Sequence, residues 1–244
     1  MKRTREALYV GFFDALPVLR DPGILILLGL VSFLPVIFIF VFAGGAATQQ
    51  ALVGSIVLSL AFMGLFTAQS IFFNKHWFRF QDIYVASPVS PVSYAMGLSL
   101  STFIVSIPAV LAAFLLLLGA LPVSVVNLIF AVASTVVLWI AMVLLGFVIG
   151  TSIRSVRRAN SLPQILGFVL GFLPPVYYPI DVLPPSMRIP ALLIPTTHAA
   201  QLAKYYFGLV SMTPGDVVFG WAYLIGFAVF MGLLATRRAH WTDR

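Results

Sequence analysis

Gly23–Phe42 reads GILILLGLVSFLPVIFIFVF, an apolar stretch with no charged residue in it. A helix that crosses a bilayer needs about 20 mostly apolar residues, within a range of roughly 17–25. This stretch meets that need. Working outward, five more runs of the same kind follow: Ala51–Phe73, Tyr94–Leu118, Pro122–Gly150, Leu162–Ile180 and Val217–Ala235. The longest, Pro122–Gly150, must tilt or extend past the hydrocarbon. Lys2–Arg5 resembles the charged start of a cleaved leader, but the apolar core of such a leader runs only about 7–15 residues. Gly23–Phe42 is therefore expected to be a retained first span.

The charges sort onto two sides of these runs. One side takes Lys2, Arg3, Arg5 and Arg20, then Lys75 and Arg79, then Arg154, Arg157 and Arg158, then Arg237, Arg238 and Arg244. The other takes Arg188 and Lys204 alone of the 14 Lys and Arg residues. Short loops rich in Lys and Arg stay cytoplasmic, so both termini are expected inside. An odd number of spans would break the pattern, which favours six. The reading is an all-α polytopic membrane protein.

The chain is 61% hydrophobic and 9% charged, with a formal net charge of +7. A basic balance can signal nucleic acid. Here every basic group flanks a membrane run, so the excess is the orientation signal itself, with some attraction to anionic headgroups. Nucleic acid is not an expected partner. Cysteine is absent, which excludes disulfides, thiolate metal sites and thiol nucleophiles.

Between the runs the chain has distinct character. Residues 1–20 place Leu8, Phe12, Ala15 and Leu19 at helical spacing, with Arg5, Glu6 and Asp14 elsewhere on the wheel. That pattern suits a helix lying in the cytoplasmic interface, bent or ended by Pro17. Ala43–Gln50 is a tiny uncharged outer loop, and Ala120–Leu121 closes a tight outer hairpin. Thr151–Ser161 reads as a basic inner loop.

Much chemistry is excluded. None of Lys2, Lys75 and Lys204 follows a glycine, so the phosphate-binding turn of P-loop ATPases is missing. His76, His198 and His240 are dispersed and Glu6 is the one glutamate, so no zinc-protease pair exists. No Asp, Glu, Lys, Arg or His falls inside the six runs, which argues against a proton relay. No resident metal or cofactor is expected in this chain.

Two segments stand out. Inside, Phe78–Tyr94 reads FRFQDIYVASPVSPVSY, apolar enough to need a cover. A short helix over Gln81–Ala86 would stop at Ser87, because Pro88 disfavours helix there, and Ser90 or Ser93 could cap the next span. Outside, Leu173–His198 carries seven prolines: Pro174, Pro175, Pro179, Pro184, Pro185, Pro190 and Pro195. Backbone broken so often is tolerated at membrane depth where protein buries it. It reads as a re-entrant or interfacial helical hairpin over residues 181–210, with Tyr177 and Tyr178 at headgroup level.

Together, the inner Asp82…Ala86-Ser87-Pro88-Val89-Ser90 segment and the outer Tyr178-Pro179-Ile180…Leu183-Pro184…Pro195 segment resemble the permease subunits of type-2 ATP-binding-cassette (ABC) exporters. The likeness covers nearly the whole chain, with an interfacial amino-terminal helix, six spans and a Leu/Pro-rich hairpin before the last span. It implies a single permease domain over residues 1–244 in the cell membrane. It implies that residues 78–93 form a coupling segment docking on a separate cytoplasmic ATPase, with Arg79, Asp82, Tyr84, Ser87 and Pro88 as the contacts to test. That partner would bind the ATP and magnesium. Two permeases, identical or sister chains, would assemble with two ATPases. Spans two and five line the path in relatives, which implies Thr67, Gln69, Ser70, Gln164 and Phe168 here. Gly167 and Gly171 equally suit plain helix packing. An uncharged path suits a drug, lipid or glycolipid, and the tiny first outer loop fits a small prokaryotic half-transporter.

A second reading, a membrane-embedded enzyme acting on lipids or lipid-linked substrates, would need clustered acid–base groups near an interface. Asp181, Arg188 and His198 are the candidates. A channel would need a ring of charges or a filter loop, which the sequence lacks.

Overall fold

The computed structural model describes residues 2–76 and 91–238. Among them are nine α-helices and no strand. In chain order they are α1 (Lys2–Arg20), α2 (Pro22–Ala43), α3 (Gly45–His76), α4 (Pro91–Ala120), α5 (Val125–Ser152), α6 (Val156–Phe172), α7 (Pro185–Leu192), α8 (Pro195–Tyr206) and α9 (Pro214–Arg238). Five of them, α2, α3, α4, α5 and α9, are long and apolar enough to cross a membrane. The molecule is an all-α polytopic membrane protein.

Helix α3 is the hub. It packs against α5, α4, α6, α2 and α8, and its middle is the most deeply buried of the spans. An apolar helix with no polar face has no reason to prefer one side, so it goes to the middle. Small residues make that place accessible. A Cβ on Gly64 would lie 2.6 Å from Met142 Cβ, and one on Gly146 would lie 2.7 Å from the Gly64 carbonyl. A Cβ on Gly150 would lie 2.9 Å from Ala68. Lipid tails are as apolar as leucine, so close backbone approach and dispersion hold such a crossing. A buried Ser59 hydroxyl adds a bond at 2.8 Å to Ser32 on α2.

Helix ends follow local chemistry. Asp21 caps α2 by accepting from the amides of Gly23 and Ile24, with Pro22 in the first helical position. Ser124 and Ser155 cap α5 and α6 in the same way. Gly44, at φ +79°, is the one residue between α2 and α3, so the expected loop Ala43–Gln50 shrinks to a single left-handed turn residue. The α4–α5 turn spans residues 121–124 rather than Ala120–Leu121.

Other boundaries also differ from expectation. Pro17 neither ends nor splits α1, which runs to Arg20 because its length is packed on α4. The buried stripe of α1 is Ala7, Val10, Gly11 and Ala15, while Leu8 and Phe12 are exposed. Gly11 and Gly97 explain the shift: Gly11 sits against the Gly97 carbonyl and Gly97 against Val10, a contact that bulkier side chains would hold apart. The basic loop Thr151–Ser161 is mostly helix, since only residues 153–155 separate α5 from α6. The fifth apolar run, Leu162–Ile180, is helical only to Phe172, because Pro174 and Pro175 lack the amides to continue it. Ser93 lies inside α4 rather than at its cap, and its hydroxyl donates to Glu6 Oε2 at 2.9 Å.

Candidate functional site

Two regions carry the sequence-derived site residues: the α3–α6 contact and the segment of sequence between α3 and α4. The residues named as ATPase contacts, Arg79, Asp82, Tyr84, Ser87 and Pro88, lie outside the described residues. So does the expected helix over Gln81–Ala86, along with Ser90. The frame around that segment is described. Phe72 near the end of α3, Ile153 and Ala159 form one cluster, so the α3 end and the α5–α6 junction share one end of the bundle. Exposed Arg154, Arg157 and Arg158 sit at that junction.

The α3–α6 contact begins nearby. Gln69 Nε2 donates to Asn160 Oδ1 at 2.7 Å. Further along, the rings of Phe62 and Phe168 meet edge to face at 5.4 Å, and a Cβ on Gly167 would strike the Phe62 ring at 2.8 Å. Gly171 is closer still to Leu58. The Gly167–Gly171 pair thus seats α6 on α3. Asn160, Gln164 and Phe168 recur every fourth residue and are all exposed, Phe168 to 52%. Ser70 is half-buried, whereas Thr67 is buried with no partner for its hydroxyl among the described residues. The structure therefore brings Gln69 and Phe168 into one contact, leaves Gln164 on an open face and sinks Thr67 into the core. Asn160 was missed by sequence reading. Its signal was its place one helical turn before Gln164.

The far end of the bundle is closed by the proline-rich segment. After α6 the chain runs without helix to a 3-10 turn at Ile180–Val182, then into the exposed α7 and the buried α8. Residues 195–204 of α8 are all buried, against α5, α9 and α3. Burying a helix that carries Thr, His, Gln and Lys is costly unless those groups find acceptors, and all but Gln201, whose Nε2 has no partner among the described residues, do so. Thr196 donates to the Leu170 carbonyl, and Thr197 to the Ala191 carbonyl at 2.6 Å. Lys204, expected as an outer-side charge, has no exposed surface, and its Nζ donates to the carbonyls of Pro175 and Tyr178 at 3.2 and 2.7 Å.

The acid–base candidates do not converge. Arg188 pairs with Asp181 at 3.7 Å and also donates to the Asp181 and Leu183 carbonyls. The Asp181 side chain is 82% exposed. His198 is buried, and its Nε2–H donates to the Leu192 carbonyl at 2.7 Å while its ring leans on Tyr223. Burial lowers its pKa, partly opposed by that carbonyl bond. Among the described residues no three His, Asp or Glu side chains are placed to hold a metal ion.

A hub helix wrapped by apolar spans, with an amphipathic helix crossing one end and a broken cap at the other, is the architecture of a multi-span membrane protein. The family model for the ABC-2 type transporter matches residues 15–208, from within α1 through α8, and the chain belongs to that family. No curated protein sequence matches it.

Proposed function

We propose that this chain is the permease subunit of an ABC exporter, driven by ATP that a separate cytoplasmic ATPase hydrolyses. The observation that carries the reading is the family match, whose residues 15–208 include the segment between α3 and α4, the α3–α6 contact and the proline-rich cap. The ATPase docks on residues 78–93 through Arg79, Asp82, Tyr84, Ser87 and Pro88, and binds the ATP and magnesium. In this reading α6 and the turn after it make the sixth crossing, α7 and α8 form the re-entrant hairpin, and both termini are cytoplasmic. A second permease covers the exposed apolar face of α6, which carries the exposed side chains of Ile165, Phe168, Val169 and Phe172. The path between the two copies then carries Gln69, Asn160, Gln164 and Phe168. Its mixture of aromatic rings and uncharged amides suits an amphipathic drug, lipid or glycolipid.

The test is affinity purification of the tagged chain in mild detergent, with co-eluting proteins identified and ATPase activity assayed. Recovery of an ATPase that is lost on D82A/Y84A substitution supports the reading. A monodisperse preparation from several detergents without any ATPase overturns it.

A further inference from the structure

Lys204 is a buried basic group that the transport reading does not use. A buried ammonium is costly unless it is paired. Among the described residues its bonds run to two carbonyls, and no carboxylate pairs with it. Both carbonyls belong to one stretch, the non-helical link between α6 and the 3-10 turn.

That link needs an outside donor. Pro174, Pro175 and Pro179 have no amide hydrogen, so the link cannot satisfy its carbonyls by continuing a helix. Val176 bonds the Pro174 carbonyl at 2.7 Å, which leaves Pro175 and Tyr178 to the ammonium. Residues 174–177 are nevertheless buried, with Val176 fully so. They are wedged against the hub helix: a Cβ on Gly54 would meet the Tyr177 ring at 2.7 Å and the Val176 carbonyl at 3.0 Å. Thr196 supplies a second tie from α8, to the Leu170 carbonyl.

We propose that Lys204 is a positioning residue that locks the turn 174–177 against Gly54 of α3, so that the outer end of α6 and helix α8 move as one body. The outer end of α6 then leaves α3 only with α8, or after both ammonium bonds break. This inference stands whether or not the chain is an exporter.

Hydrogen exchange of the purified full-length chain in detergent, read by mass spectrometry, tests it. In K204M, peptides covering residues 173–183 should exchange at least about tenfold faster, as expected when a local opening loses its two restraining bonds. Peptides from the middle of α5 should not change. Equal acceleration in α5 would mean that Lys204 serves general stability, and unchanged exchange in 173–183 would mean that it locks nothing. Either result overturns the proposal. If K204M does not accumulate, K204Q keeps one donor and is judged by the same two sets of peptides, with a smaller but still local acceleration expected.

Discussion

Helices α3 and α8 are both buried, and they reach burial by opposite means. Helix α3 has 32 residues and is continuously buried from Ala51 to Phe62, on Ala61, Gly64, Ala68 and other small or aliphatic side chains. Helix α8 has 12 residues, and its buried set includes Thr196, Thr197, His198, Gln201 and Lys204. Close approach of backbones holds the first in place. Hydrogen bonds from its side chains to broken backbone hold the second. The difference teaches that polarity does not decide depth in this protein; the availability of acceptors does.

The comparison can be broken most severely at the α3–α5 crossing. In G146L the new side chain would have to displace the Gly64 carbonyl, which is backbone and cannot swing away. Overpacking costs about 1–3 kcal/mol or more, and this substitution belongs at or beyond the upper end. The variant should lose most of its monodisperse peak in size-exclusion chromatography.

At α8 the expected loss is smaller and different in kind. T197V keeps the shape but removes the hydroxyl that donates to the Ala191 carbonyl, which still accepts from the Ile194 amide, so the cost is that of one hydrogen bond, about 0.5–1.5 kcal/mol. Thermal unfolding followed by tryptophan fluorescence should show a lowered midpoint with the oligomeric state unchanged. If T197V is neutral, the polar account of α8 fails.

S59A removes the one side-chain bond linking α2 to α3 among the described residues. Bonds of this kind inside membranes average about 0.6 kcal/mol, so the same assay should show a small downward shift. T67V has the smallest effect and the opposite sign. Its hydroxyl lacks a partner, so an apolar isostere should leave stability unchanged or slightly raised. A marked loss in T67V would show that Thr67 bonds to a group outside the described residues.

The spans were legible because bilayer thickness imposes a length and an apolar content that composition alone can meet. The stop at Phe172 was legible in part, since prolines announce broken backbone without saying where the freed carbonyls will go. The face of α1 that packs on α4 was not legible, because apolar periodicity favours bulky residues such as the exposed Leu8 and Phe12 and the contact is made by Ala7, Val10 and Gly11. At the candidate path, Gln69 and Phe168 were named from the family resemblance, whereas Asn160 was missed although it lies one helical turn before Gln164. Its importance lies in a bond to a residue 91 positions away.

From the order of its residues alone, this protein is all-helical, crosses a membrane several times and carries its positive charge on one side of the spans. Those properties are local, set by how each segment partitions between water and lipid. Folding decided that α3 is the hub, that Thr67 is buried while Gln164 stays open, and that Lys204 lies under the cap. Each depends on which surfaces come close enough to exclude everything else, and such closeness exists only between segments distant in the chain.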